Sequence, residues 1–174
     1  MTAWILRVDS MDARLLMALA HRRTWFLSRF FRLYTHLGDA PVPVGFAALL
    51  LFGGIPAWQP SAGHSTAALV VAFLLSQLVK RIVTRPRPRL PEGFPLLVQA
   101  PDRFSFPSGH ATASMAVILP VTLTAGFGVG MLLLPPVLLI GVSRCYLGVH
   151  YPGDVLSGWG LALLAVFSTG HWWG

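Results

Sequence analysis

Apolar residues fall into long runs along this chain, and the polar residues gather between them. Residues 41–58 and about 62–79 contain no Lys, Arg, Asp or Glu. Residues 111–142 are also free of them, a run too long for one membrane crossing, which needs about 20 apolar residues. The glycines of GFGVG, Gly126 to Gly130, divide it, predicting helical spans over about 108–125 and 131–147. A fifth span is predicted over 154–173. Pro120, Pro135 and Pro136 inside these runs are tolerable as kinks where neighbouring helices re-satisfy the backbone. The pattern predicts an all-α, polytopic transmembrane helix bundle of about five spans.

Residues 10–36 follow a different rule. Met11, Leu15 and Leu19 recur at helical spacing. In TWFLSRFFRLYTH, residues 24–36, Arg29, Arg32 and His36 share one helical face while Phe26, Phe30 and Leu33 occupy another. Such a helix lies in the membrane interface with its arginines toward headgroups, or packs on the bundle with a solvated basic face. With no repeat and no linker, residues 1–174 read as one membrane-embedded domain. Residues 1–40 form an amphipathic, interfacial N-terminal region and 41–174 a transmembrane core. Trp58, Trp172 and Trp173 fall at span ends that share one side, as an aromatic belt does, the alternative being ordinary core aromatics.

Composition sharpens this picture. Hydrophobic residues make up 55% and charged residues 11%, a balance foreign to soluble domains. The formal charge of +7 suits an anionic partner. For a lipid-embedded bundle that partner is the bilayer surface or a phosphorylated substrate, not nucleic acid. Cys145 is the one cysteine, which excludes an internal disulfide framework and a Cys-rich zinc site. Arg7, Asp9, Asp12 and Arg14 interrupt any apolar signal-peptide core, so no cleavable leader is expected.

Five spans place two polar islands on one membrane face, since residues 80–107 join spans two and three and residues 144–153 join spans four and five. The first opens with KRIVTRPRPR, where Lys80, Arg81, Arg85, Arg87 and Arg89 converge at a helix end. Cations there serve as topology signals, or they bind phosphate, for which arginine offers a bidentate fork. In FPSGH, Pro107 stops a loop and Ser108 suits a helix cap, which would aim the amides of Ser108, Gly109 and His110 outward as an anion site. Gly109 lets an oxyanion approach the backbone closely. The second island is SRCYLGVHYPGD. Arg144 stands at a span end, where a charge is costly unless functional or snorkelling. His150 and Asp154 are four apart; on a helix beginning near Pro152 the carboxylate reaches one imidazole nitrogen and leaves the other free as nucleophile or base. A purely structural His–Asp bond is the alternative.

Taken together these are the parts of phosphoryl transfer: donors for equatorial oxygens, a nucleophile and an acid. The acidic residues, Asp9, Asp12, Asp39, Glu92, Asp102 and Asp154, are too sparse for a two-metal site. There is no Cys-x5-Arg and no Asp-x-Asp. Histidine remains as nucleophile, with no metal and no cofactor expected.

These residues resemble the type 2 phosphatidic acid phosphatase (PAP2) superfamily, membrane lipid-phosphate phosphatases related to vanadium haloperoxidases. Its three motifs, Lys-x6-Arg-Pro, Pro-Ser-Gly-His and Ser-Arg-x5-His-x3-Asp, are matched without a gap by Lys80 to Arg87-Pro88, Pro107 to His110, and Ser143-Arg144 with His150 and Asp154. The resemblance covers roughly residues 38–165. It implies a six-helix-like, PAP2/haloperoxidase-like core and metal-independent hydrolysis of a phosphomonoester or diphosphate. It further implies that His150 attacks phosphorus to give a phosphohistidine, Asp154 orients it, and His110 protonates the leaving oxygen and then activates water. Lys80, Arg87, Ser108, Gly109 and Arg144 would hold the phosphate oxygens.

The expected activity is that of a lipid phosphate phosphatase of a bacterial inner membrane. Candidate substrates are phosphatidylglycerophosphate, phosphatidic acid and polyprenyl phosphates or diphosphates, and the oligomeric state stays open. All Lys and Arg fall on the active-site face; with those from Lys80 onward set aside, Arg7, Arg14, Arg22, Arg23, Arg29 and Arg32 still favour a cytoplasmic site. A crossing by residues 24–40 would invert that. The alternative is a non-catalytic protein that binds or translocates anionic lipid, which would need neither His150 nor Asp154. A vanadate-based oxidation is disfavoured because that design is soluble.

Overall fold

The computed structural model describes the backbone of residues 2–100 and 102–171, with side chains from Ser10 onward. Trp172 and Trp173 of the expected aromatic belt, and the side chains of Arg7 and Asp9, lie outside the described residues. Seven α-helices follow one another: α1 (Thr2–His21), α2 (Trp25–Tyr34), α3 (Pro41–Leu51), α4 (Ala62–Val83), α5 (Gly109–Ala125), α6 (Phe127–Tyr146) and α7 (Pro152–Gly170). Short 3-10 turns cover Thr35–Gly38 and Pro56–Ser61. Among the described residues there is no strand, only an isolated bridge between Pro86 and Phe104.

Helices α4 to α7 form the bundle. Its centre is rich in small residues, with Ala68, Ala72, Ala116, Ala162 and Ala165 packed beside Met115, Leu119, Val137 and Val166. Small side chains let helix backbones approach, which is how helices associate where lipid is as apolar as leucine. Gly158 carries this furthest. A Cβ there would lie 2.8 Å from the Ser108 carbonyl oxygen and 2.9 Å from Thr112 Oγ1. That contact sets the start of α7 against the start of α5, and the Ser108 N–H donates to the Asp154 carbonyl at 2.9 Å. Outward, Phe73, Leu74, Ile82, Leu132, Leu156 and Phe167 are exposed, as lipid-facing positions are.

Among the described residues three stretches are long and apolar enough to cross a membrane: Pro56–Val83, Phe127–Tyr146 and Pro152–Gly170. The chain is an integral membrane protein. The first predicted span, 41–58, is not one helix. α3 has 11 residues, about 16 Å at 1.5 Å per residue, roughly half of the ~30 Å hydrocarbon layer. It stops before Gly53, whose φ of 74° leaves the helical region, and the chain turns through Gly54 into the 3-10 turn at Pro56. The division of the long apolar run falls at Gly126, φ 87°, so α6 starts at Phe127, earlier than residue 131.

The N-terminal region is two helices rather than one. The break is Arg22 to Thr24, where Thr24 turns extended and its Oγ1 accepts the Leu27 N–H at 3.3 Å. α1 buries Asp12, Leu16 and Ala20 and leaves Met11 and Leu15 exposed, so the face that packs lies one residue round from the expected stripe. α2 packs Phe31 against Tyr146, with 4.7 Å between ring centroids, while Trp25, Phe26 and Leu33 stay exposed. α1 docks on the bundle, and α2 packs one side on it while keeping apolar residues outward.

Candidate active site

The predicted residues meet at one end of the bundle because each sits at a helix terminus or in an adjoining loop. Lys80 lies in the last turn of α4, Ser108 caps α5, Gly109 and His110 open it, Arg144 closes α6, and Asp154 lies in the first turn of α7. Lys80, Arg87, Gly109, His110 and His150 line a cavity of about 280 Å³, together with Asp39 and Asp102. Ser108, Arg144 and Asp154 sit behind that wall, nearly fully buried. One expectation needs correcting: the Ser108 amide points not outward but at the Asp154 carbonyl.

His150 is 2% exposed. Its Nδ1 lies 2.6 Å from the Ser105 carbonyl oxygen, and its Nε2 lies 3.3 Å from Arg87 Nη1. A carbonyl only accepts and a guanidinium only donates. The proton therefore resides on Nδ1, and the Nε2 lone pair faces Arg87 at the cavity. Burial pushes the imidazole pKa down to about 4, with Arg144 and Arg87 adding to the effect although Asp154 opposes it. The nitrogen aimed at the cavity is thus unprotonated near neutral pH.

Asp154 bonds several groups around His150. Its Oδ2 lies 3.5 Å from His150 Nδ1, behind the Ser105 carbonyl, and accepts the Tyr151 N–H at 2.8 Å. Its Oδ1 accepts from Arg85 Nη1 at 2.7 Å. Arg85 also pairs with Asp12 at 2.9 Å and stacks on the Tyr151 ring, 4.2 Å from its centroid. Asp12 in turn accepts the Gly153 N–H at 2.8 Å. A carboxylate thus lies beneath the imidazole, while the Ser105 carbonyl is the nearer acceptor for Nδ1–H.

The cations of the first island hold an internal anion. Lys80 Nζ donates to Asp102 Oδ2 at 2.5 Å and Arg87 Nη2 to Oδ1 at 2.8 Å. Burial alone would raise the Asp102 pKa, but Lys80 and Arg87 hold it below the ordinary carboxylate value. Two deeply buried donors nearby are unmatched. Arg144 gives Nη1 to Thr35 Oγ1 at 2.7 Å, but its Nε has no partner, and neither has Ser108 Oγ. Such groups cost about 1–3 kcal/mol each when left unsatisfied. Two cations around a carboxylate at the cavity, with Arg144 and Ser108 buried behind it, are donors of the kind that phosphate oxygens accept from.

His110 Nε2 lies 2.7 Å from Asp39 Oδ1, and Asp39 Oδ2 lies 2.7 Å from His36 Nδ1. Burial would raise the Asp39 pKa, but the two histidines hold it below its usual value. Asp39, Asp102, Ser105, Arg85 and Thr35 were not singled out as site residues from the sequence. The available signal was scarcity: the chain has six acidic residues, and Asp12, Asp39, Asp102 and Asp154 all converge here.

The buried neutral imidazole has a consequence for stability. Folded His150 takes its proton near 4 and a solvated histidine near 6.5, so the unfolded chain binds more protons between those values and stability falls as pH drops through that window. The thermal midpoint of detergent-solubilised protein is expected to decline from pH 6.5 to 4, and less steeply in His150→Gln. Equal slopes would show that the imidazole is not buried in its neutral form.

Known proteins resemble this chain over much of its length. A model of the PAP2 superfamily matches residues 61–174. Decaprenylphosphoryl-5-phosphoribose phosphatase of Mycolicibacterium smegmatis is 37% identical over 131 residues, covering 73% of this chain and 68% of that protein. Among solved structures, Aquifex aeolicus LpxE superposes with a TM-score of 0.78 at 26% identity, covering 90% of this chain and 92% of the other. The first transmembrane PAP2 type phosphatidylglycerolphosphate phosphatase from Bacillus subtilis gives 0.75 at 28% identity, over 95% and 86%.

Proposed function

The chain belongs to the PAP2 superfamily and is a membrane phosphatase; on that footing we propose that it hydrolyses a lipid-linked phosphate through a phosphohistidine on His150. The observation that carries this reading is the state of that side chain. Its Nδ1–H is spent on Ser105, and its Nε2 stands unprotonated beside Arg87 at the cavity. Substrate phosphate takes the place of the Asp102 carboxylate on Lys80 and Arg87, with Arg144, Ser108 and the Gly109 amide on its remaining oxygens. Nε2 attacks in line, the N–P bond forms as the P–O bond to the lipid breaks, and His110 delivers a proton to the departing oxygen. His110 then takes a proton from water, which attacks phosphorus and releases His150. Asp154 and Arg85 steady the charge that His150 gains while phosphorylated.

A polyprenyl-linked sugar phosphate leads the substrate panel, ahead of phosphatidylglycerophosphate, phosphatidic acid and polyprenyl diphosphate. The relative named for a decaprenyl-linked phosphoribose supports that order. So does Ser76, on the cavity wall about one turn below Lys80, buried and with its Oγ unpartnered. It suits a leaving group that carries hydroxyls. The site faces the cytoplasm of a bacterial inner membrane. Both ends of residues 24–39 support this, because Thr24 bonds Tyr146 and Asp39 bonds His110 at the same end of the bundle. The segment thus begins and ends on one side, which keeps the N-terminal arginines on the active-site side.

The test is phosphate release by detergent-purified protein from each of these lipids in excess EDTA. Undiminished turnover is expected, with the sugar phosphate fastest. Activity that disappears in EDTA and returns with a divalent cation would rule out the metal-free mechanism. Silence on every lipid from folded, reconstituted protein would favour a binding or translocating role.

A further inference from the structure

The stretch THLGD, residues 35–39, lies outside the region matched by the family model, yet most of it touches the candidate catalytic apparatus. Thr35 Oγ1 accepts from Arg144 at 2.7 Å. A Cβ at Gly38 would fall 2.9 Å from His110 Cδ2 and 2.6 Å from Ile140 Cγ2, so this backbone is pressed against the His110 ring. Asp39 Oδ1 takes His110 Nε2 at 2.7 Å, and its second oxygen is fixed at 2.7 Å by His36 Nδ1, whose side chain is 67% exposed. Asp39 thus holds the inner ring in a chosen orientation while anchored from the outer one.

Resting on the reading of His110 as the acid and base above, we propose that Asp39 is a positioning residue that commits Nε2 of His110 to itself and so makes Nδ1 the atom that exchanges protons with substrate and water.

The chemistry follows from what each group can do. A carboxylate accepts only, so Nε2 carries a hydrogen whether His110 is neutral or charged. In the first step the imidazolium gives its Nδ1 proton to the oxygen leaving phosphorus, and the neutral ring keeps Nε2–H on Asp39. In the second step Nδ1 removes a proton from the attacking water as the N–P bond of His150 breaks. The imidazolium regenerated there is stabilised by the adjacent carboxylate. Rotation about Cβ–Cγ would put ring carbons where the two nitrogens stand and abolish both transfers; the bond to Asp39 and the Gly38 backbone oppose it.

The role is separable from a structural one by leaving group. An alkyl lipid phosphate needs a proton on its departing oxygen, whereas an aryl ester such as p-nitrophenyl phosphate releases a stable phenolate without one. Alcohol release in the first turnover is measured for both substrates with wild type, Asp39→Asn, His110→Ala and the double variant. General acid catalysis contributes about 10²–10⁴-fold. Asp39→Asn is expected to slow the alkyl substrate by about 10²-fold, with the aryl substrate slowed far less. The double variant should be no slower than His110→Ala.

Equal slowing of both substrates by Asp39→Asn, or no slowing of either, overturns the proposal while leaving His110 as the acid. Absence of any leaving-group preference in His110→Ala overturns it by removing its premise. Should Asp39→Asn fail to fold in detergent, Asp39→Ser carries the same comparison. Restoration of the alkyl rate by Asp39→Glu would support a carboxylate acting at Nε2.

Discussion

The His150→Ala variant is expected to lose lipid phosphate hydrolysis by roughly 10⁴- to 10⁶-fold, the scale seen when a nucleophile working within a concerted catalytic set is removed. The loss should be in kcat, because Lys80, Arg87 and Arg144 remain to bind the phosphate. Folding should survive with a measurable penalty. The imidazole is buried and satisfies the Ser105 carbonyl at 2.6 Å; removing it orphans that acceptor, at about 1–3 kcal/mol. The thermal midpoint in detergent should therefore fall while the helical circular dichroism spectrum persists. Trapping with radiolabelled substrate should give an acid-labile, base-stable protein phosphate in wild type and none in the variant. Turnover retained by His150→Ala would remove this residue as nucleophile.

Asp154→Asn should be the next most damaging change, and its size discriminates between two jobs. If the carboxylate fixed the His150 tautomer, its loss would cost about 10⁴-fold, as in hydrolytic triads where the acid alone holds the ring. Here the Ser105 carbonyl holds Nδ1–H, with Asp154 Oδ2 at 3.5 Å. What the variant removes is negative charge beneath an imidazole that becomes positive, a loss of about 10²–10³-fold in kcat for preorganised electrostatics. It also leaves Arg85 without one of its two carboxylates, so stability should fall as well. Measured kcat on the best lipid decides the matter. A loss near the larger figure would return the tautomer role to Asp154.

This difference also shows how far the sequence could be read. A helix beginning near Pro152, with its carboxylate near His150, was legible in the spacing, and α7 begins there. His150 lies outside the helix, and the carboxylate turns back to cap it at Tyr151. The motif residues were legible because their types are constrained by chemistry, and their common membrane face followed from counting apolar runs. The partners that hold them were not legible. Ser105 acts through its backbone, which carries no sequence signature. Asp39 and Thr35 reach His110 and Arg144 across 71 and 109 positions, and no local pattern encodes such a distance. Likewise α3 ended early because paired glycines and Pro56 outweigh the hydrophobicity that continues past them.

The bond from Gly153 to Asp12 spans 141 positions of the chain. A ribosome adding about 5–20 residues per second needs roughly 7–28 s to cover that interval. During that time α1 has been made but Gly153 has not, so of its two partners Asp12 meets Arg85 first. Only when α7 enters the bilayer can Arg85 bring Asp12 and Asp154 together. On the proposed mechanism the site thus stays incomplete until α7, which follows the other described helices, has been inserted.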